Sequence, residues 1–224
     1  MPEESKPQDK LKIVRGQNLY LMPEKTIFWQ ETKTLMAADL HIGKDSAFRK
    51  AGIAVPEAVT NHDLKKLFQA IKRTDAKRLI LLGDFQHSKS GNTIRTIDKV
   101  AEWRNELENV EIVLIPGNHD LASGQIPEKW RFTAVREAFK EGPFTFKHYP
   151  EPERDTFTFS GHLHPSVRLY GKGKQSEKLP CFYFKNNYAV LPAFGSFTGS
   201  FNIEPERNSQ IFLVLEDTIV KYNI

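Results

Sequence analysis

Three apolar runs in this sequence end on the same kind of event. Thr34-Leu35-Met36-Ala37-Ala38 runs into Asp39-Leu40-His41, and Arg78-Leu79-Ile80-Leu81-Leu82 into Gly83-Asp84-Phe85-Gln86-His87. Glu111-Ile112-Val113-Leu114-Ile115 runs into Pro116-Gly117-Asn118-His119-Asp120. Nearly continuous apolar runs of this length read as strands buried on both faces. Between them, Pro56–Arg73 sets Val59, Leu64, Leu67, Phe68 and Ile71 at helical spacing, with Pro56 suited to a helix start. Thr93–Leu107 does the same with Ile94, Ile97, Val100, Ala101 and Leu107. Strands alternating with helices predict a parallel sheet, and ligands of such sheets collect beyond the carboxyl ends of the strands. All three polar motifs fall there.

The flanks read differently. Lys12-Ile13-Val14, Asn18–Leu21 and Thr26–Trp29 are β-rich, with a turn at Pro23-Glu24-Lys25. Beyond about residue 130 come short strands: Phe144–Phe146, Thr156–Phe159, Val167–Tyr170, Cys181–Phe184, Tyr188–Leu191 and Ile211–Val214, with Gly171–Lys178 as a polar hairpin tip. They predict a second, mainly antiparallel sheet. Residues 1–10, polar and holding Pro2 and Pro7, are expected to form a disordered tail, and residues 11–224 a single domain.

Six of the seven histidines lie in the three motifs above, at His148, and in Gly161-His162-Leu163-His164. Neutral imidazole with carboxylate is a common ligand set for divalent transition metals. So many candidate ligands in five places predict a two-metal hydrolase. The seventh, His62, lies on a charged helix face beside Asp63 and Lys65 and reads as solvated. A single cysteine, Cys181, excludes an internal disulfide and suits a cytoplasmic protein. Met1–Lys10 has no signal-like apolar stretch, and no apolar run is long enough to span a membrane. The net charge of +4 and pI near 9.0 favour an anionic substrate.

In order, Asp-X-His, Gly-Asp, Gly-Asn-His-Asp, a lone His and Gly-His-X-His resemble the motifs of the calcineurin-like metallophosphoesterases. The resemblance implies an α/β fold: a four-layer α-β-β-α sandwich of two packed mixed sheets, with the metal site at strand carboxyl ends. Gly161-His162-Leu163-His164-Pro165, followed by Leu191–Gly199, is similar to the bacterial branch called ligase-associated DNA damage response endonucleases. That branch often has His-Glu-Pro where this chain has His148-Tyr149-Pro150. The implied cofactors are two divalent ions, Mn²⁺ by resemblance, with Zn²⁺ or Fe²⁺ compatible with the same ligands. The implied substrate is a DNA phosphodiester, with a functional link to a DNA ligase and a helicase.

By the family pattern Asp39, His41 and His164 complete one metal site, and Asn118, His148 and His162 the other. Asp84, on the central motif, is the candidate bridge between them. A hydroxide shared by the two ions would be the nucleophile. His119 is the candidate general acid, and Asp120 is expected to orient it through a ring N–H hydrogen bond. Asn118, His87, Lys44 and Arg49 are candidate substrate contacts near the mouth. Phe194 and Phe197 either stack bases or pack in the second sheet. Two other functions use the same motifs: a phosphodiesterase or phosphatase on a small nucleotide-like substrate, and a non-catalytic module recruiting a partner protein.

Overall fold

The structure, a computed structural model, describes residues 7–56 and 58–223. The first sheet holds seven strands in chain order: β1 (Lys10–Val14), β2 (Gln17–Met22), β3 (Thr26–Trp29), β4 (Thr34–Ala37), β5 (Arg78–Leu81), β6 (Glu111–Leu114) and β7 (Thr133–Ala134). β1 to β4 form an antiparallel meander, and β4 to β7 run parallel. Four helices belong to this half: α1 (Lys44–Lys50), α2 (Val59–Thr74), α3 (Ile94–Asn105) and α4 (Asn118–Ser123). α2 and α3 are the crossovers that parallel pairing requires. α3 begins where the Thr93 hydroxyl accepts the Thr96 N–H, an N-cap that satisfies one of its free donors.

The second sheet holds β8 (Phe139–Glu141), β9 (Phe144–Phe146), β10 (Phe157–Ser160), β11 (Pro165–Tyr170), β12 (Ser176–Phe184), β13 (Tyr188–Val190), β14 (Phe201–Asn202), β15 (Gln210–Val214) and β16 (Ile219–Tyr222). β10 lies parallel to both β9 and β13, and β14 parallel to β11; the other pairings are antiparallel. Ser176–Pro180 of β12 pairs with β11, and Cys181–Phe184 pairs with β15. One long strand therefore ties two parts of the sheet together.

Strand alternation fills the space between the sheets. Leu19, Leu21, Ile27, Trp29, Met36, Ile80 and Val113 meet Phe144, Phe146, Phe157, Phe159, Phe182 and Phe212 in one buried cluster. Trp29 meets Phe144 edge-on at 4.8 Å, an aromatic contact that adds to area burial. Each fully buried large side chain here contributes about 1.5–3 kcal/mol of transfer free energy. The other face of the first sheet, through Leu35, Leu79, Leu81, Ile112 and Leu114, packs on Leu64, Leu67, Ile71, Val100 and Trp103 of α2 and α3.

The two packed mixed sheets and their helices are the α/β arrangement expected; among the described residues the α-helices all precede Gly124. The outer face of the second sheet is closed by its own side chains and Ile203, because the later sequence alternates at strand period. Residues 7–10 are part of the fold, and only 1–6 of the expected tail lie outside the described residues. The Gln8 N–H donates to the Asp217 carbonyl at 2.7 Å, Asp9 pairs with Arg73 at 2.8 Å, and Lys10 opens β1.

Candidate metal centre

Loops from the carboxyl ends of β4, β5, β6, β9 and β10 meet at one end of the sandwich. The first two motifs run side by side after their strands stop: the Asp39, His41 and Ile42 N–H groups donate to the Gly83, Asp84 and Phe85 carbonyls at 3.1, 2.9 and 2.7 Å. Asp39 (φ 54°), His41 (50°), Asp84 (47°), His162 (70°) and His164 (49°) all adopt left-handed backbone. Side chains rarely sit there, and such strain concentrates at functional sites. Two glycines make the approach possible. A Cβ on Gly83 would lie 2.0 Å from His148 Nδ1, and one on Gly117 would lie 2.2 Å from Asp84 Oδ1.

One half of the centre is Asp39, His41 and His164, whose candidate ligand atoms lie within 4.8 Å of one another. Asp39 Oδ2 accepts the His162 N–H at 2.9 Å, while Oδ1 is buried without a partner, 3.6 Å from His164 Nε2. His164 Nδ1 donates to the Gly199 carbonyl at 3.0 Å, which fixes the tautomer and frees Nε2. Both ring nitrogens of His41 are buried and unpartnered. Burial first, then His164 and other cationic neighbours, hold its pKa to about 2, so the ring is neutral and ready to ligate. Burial pushes Asp39 up, only partly offset by His164. For His164 burial acts downward, but the Asp39 carboxylate outweighs it and the pKa rises.

The other half is Asp84, His148 and His162, also within 4.8 Å. His148 Nδ1 donates to the Leu82 carbonyl at 3.0 Å, and its Nε2 lies 3.1 Å from His162 Nδ1 and 3.2 Å from Asn118 Oδ1. Asp84 Oδ2 stands 3.6 Å from His148 Nε2, and Oδ1 accepts the His119 N–H at 2.8 Å. Burial and His148 lower the pKa of His162. The halves approach at His148 Nδ1 and Asp39 Oδ1, 3.9 Å apart.

These residues fit divalent cations. Asp39 Oδ1, both His41 nitrogens and His164 Nε2 are buried polar atoms with no protein partner, which a native fold rarely leaves unmet. An N/O donor set of this kind is completed by a divalent transition metal.

His119 is half-buried at the same mouth. Its Nδ1 donates to the His87 carbonyl at 2.6 Å, and its ring stacks on that of His87 at 5.4 Å. This corrects the role expected of Asp120. The Asp120 carboxylate instead accepts N–H groups from Phe85 (3.2 Å), Gln86 (2.7 Å) and Gly117 (3.0 Å), pinning the Asp84 loop to the Asn118 loop. Burial raises its pKa to about 6 despite those bonds.

Arg49 is a second correction. Its guanidinium is engaged by Asp45 at 3.2 Å, the Ser46 hydroxyl and the Val55 and Pro56 carbonyls, and so braces the chain after α1. Lys44 Nζ lies 5.8 Å from the ring of Phe48, itself edge-on to His87, and its charge helps to lower both His41 and His87. Burial and then Lys44 hold His87 to about 4, so it is a neutral ring at pH 7. Phe194 is fully buried in the helix-side core, not in the second sheet, whereas Phe197 is 42% exposed against Phe48. His62 is exposed.

A buried acid escaped the motif reading. Asp63 of α2 accepts the Ser196 N–H at 3.1 Å and its hydroxyl, which anchors the loop whose Gly199 carbonyl holds His164. Its signal was available: a carboxylate on the apolar stripe that also holds Thr60, Leu64 and Leu67.

The comparisons with known proteins agree with this geometry. Residues 32–186 match the calcineurin-like phosphoesterase family. The structure aligns with the crystal structure of Pseudomonas putida nuclease MPE at a TM-score of 0.82 and 34% identity, over 92% of this chain and 97% of that one. Yfce, a phosphoesterase from E. coli, aligns over 83% of this chain and 90% of its own, but at 14% identity and a TM-score of 0.39 it adds no argument. No curated protein matches. The chain belongs to the calcineurin-like phosphoesterase family, and is a metal-dependent phosphoric ester hydrolase. No helix among the described residues is long and apolar enough to cross a membrane.

Proposed function

We propose that this protein is a Mn²⁺-dependent nuclease that cleaves phosphodiester bonds in DNA. The observation that carries the reading is the near full-length similarity, at 34% identity, to a nuclease, in a chain where Asp39, His41 and His164, and Asp84, His148 and His162, each gather within 4.8 Å. Asp39, His41 and His164 would hold one ion, and Asn118, His148 and His162 the other, with Asp84 shared. Ions held there would supply water activation and neutralisation of charge on the phosphate.

The chain's own groups supply the rest. His119, its Nδ1 tied to the His87 carbonyl, presents Nε2 to give a proton to the leaving oxygen. Asp120 keeps the Asp84 and Asn118 loops in register. Lys44 offers positive charge to a flanking phosphate at the mouth. A place in cytoplasmic DNA repair, beside a ligase and a helicase, is what similarity to the ligase-associated endonuclease branch suggests.

The test is hydrolysis by Mn²⁺-loaded protein of bis-p-nitrophenyl phosphate, single-stranded DNA and duplex DNA, with Asp84→Asn as the blank. DNA cleavage that vanishes in the blank supports the nuclease. Turnover of the small diester alone moves the substrate to a small nucleotide-like molecule. Silence on all three, with metal bound, refutes the diesterase and favours the scaffold.

A further inference from the structure

A groove of about 440 Å³ opens beside the second half of the centre, with His148 in its wall. Tyr149 follows that ligand directly. Its ring stands edge-on to His148 at 4.8 Å and to His162 at 4.6 Å, yet Tyr149 remains 43% exposed. Two rings of the metal centre thus hold an aromatic surface in place while leaving much of it open. Leu121 of α4, two residues after His119, lines the same groove and is 74% exposed. Large apolar side chains left in water beside a polar catalytic centre point to a ligand with an apolar face.

Charge narrows the ligand. The groove carries Arg136, Lys140 and Lys147 against Glu137, Glu151 and Glu153, a formal balance of zero. Lys140 and Lys147 are both paired with Glu153, at 3.3 and 2.5 Å. Such walls exert little net pull on a phosphodiester chain. On the other side, by contrast, Lys44 Nζ lies 5.8 Å from the ring of Phe48, which meets His87 edge-on at 6.1 Å. An aromatic group without charge suits the groove, and a phosphate suits the Lys44 side.

We infer that this groove is a nucleobase subsite in which Tyr149 stacks on the base of a nucleotide flanking the scissile phosphate. The inference rests on the nuclease reading and names a specificity-determining residue within it. Stacking requires only a π-face, so the subsite tolerates any base but requires one.

The experiment measures binding of a short end-labelled single-stranded DNA to Mn²⁺-loaded protein by fluorescence anisotropy. A His119→Ala background keeps cutting slow. Tyr149→Ala should weaken binding by roughly 5- to 150-fold, the range alanine substitution gives for one stacked base. Tyr149→Phe should stay within about twofold, because the π-face is kept. An abasic residue walked along the strand should, at one position, remove the difference between the parent and Tyr149→Ala.

A Tyr149→Ala protein that binds like its parent overturns the inference. So does a loss that persists at every abasic position, or one accompanied by loss of metal by mass spectrometry, since the ring would then only brace His148 and His162. If the wild-type protein neither binds nor cuts DNA, the nuclease reading fails and this one with it. If it cuts DNA and Tyr149 is indifferent, only the subsite fails.

Discussion

The two halves of the candidate metal centre are built from similar residues and left in different states. In the half made by Asp39, His41 and His164, four candidate ligand atoms are buried with nothing to bond. In the half made by Asp84, His148 and His162, each His148 nitrogen has a neighbour within hydrogen-bond reach. Unmet buried polar atoms cost free energy, so the first half stores a cost that only a ligand removes. The second half is already reconciled with itself, and an ion entering it must replace contacts rather than create them. A fold can therefore prepare two neighbouring sites to different degrees with the same side-chain chemistry.

The largest effect should come from the residue proposed to join the halves. Asp84→Asn is expected to lose both ions and all measurable turnover, checked by metal stoichiometry after dialysis and by diester hydrolysis. Retention of one ion in the Asp39 half would sever the comparison, making Asp84 a member of the second half alone.

His119 belongs to neither half, and removing it should separate ion binding from proton transfer. His119→Ala is expected to keep both ions while turnover falls by roughly 10²–10⁴-fold. Loss of an ion would instead enlist it as a ligand through the cluster it forms with His41 and His87.

Much of this was legible in the sequence because it is local. Apolar runs ending on candidate ligands placed β4, β5 and β6, and helical spacing placed α2 and α3 to within a few residues. What depends on partners chosen across the fold was not legible. Parallel pairing of β10 with β9 and β13 is set by tertiary packing, and nothing within those short strands encodes it. Asp120 and Arg49 follow the same rule. Each sits where a motif reading suggests catalysis or substrate contact, yet the nearest unsatisfied groups in space were backbone N–H groups for one, and Asp45 and two carbonyls for the other.

Protons should distinguish the halves next. His164 is raised because the Asp39 carboxylate outweighs burial, so over that raised range an ion must displace a proton from it; burial raises Asp39 as well. Affinity at the first half should climb with pH through the raised range of His164, by up to about tenfold per pH unit for each proton released. His162, lowered by burial and His148, has no proton to give near neutrality, so the second half should vary less. For protein stripped of metal the sign is the reverse. The raised His164 adds stability that is complete below the free histidine value of about 6.5 and is lost as pH rises through its folded value. Calorimetric metal titrations in buffers of different ionisation enthalpy would read the proton count, using His162→Ala to isolate the first half and His41→Ala the second. Equal proton release from both would erase the distinction.

The smallest effect is the sharpest test of whether the first half really carries an unmet cost. In protein held in EDTA, His148→Ala removes the donor to the Leu82 carbonyl and the contacts with His162 and Asn118, at about 1–3 kcal/mol. His41→Ala removes a ring whose two nitrogens bond to nothing, so relief of its desolvation offsets the space it leaves. Its net cost should stay within about 1 kcal/mol of zero. Adding Mn²⁺ should change that picture, because an ion at one hundred times its Kd stabilises the native state by about 2.7 kcal/mol, and each variant gives up the ion its histidine helps to hold. Urea denaturation with and without metal measures both terms. If His41→Ala in EDTA destabilises as much as His148→Ala, then His41 packs as an ordinary core residue and the first half holds no stored cost for an ion to relieve.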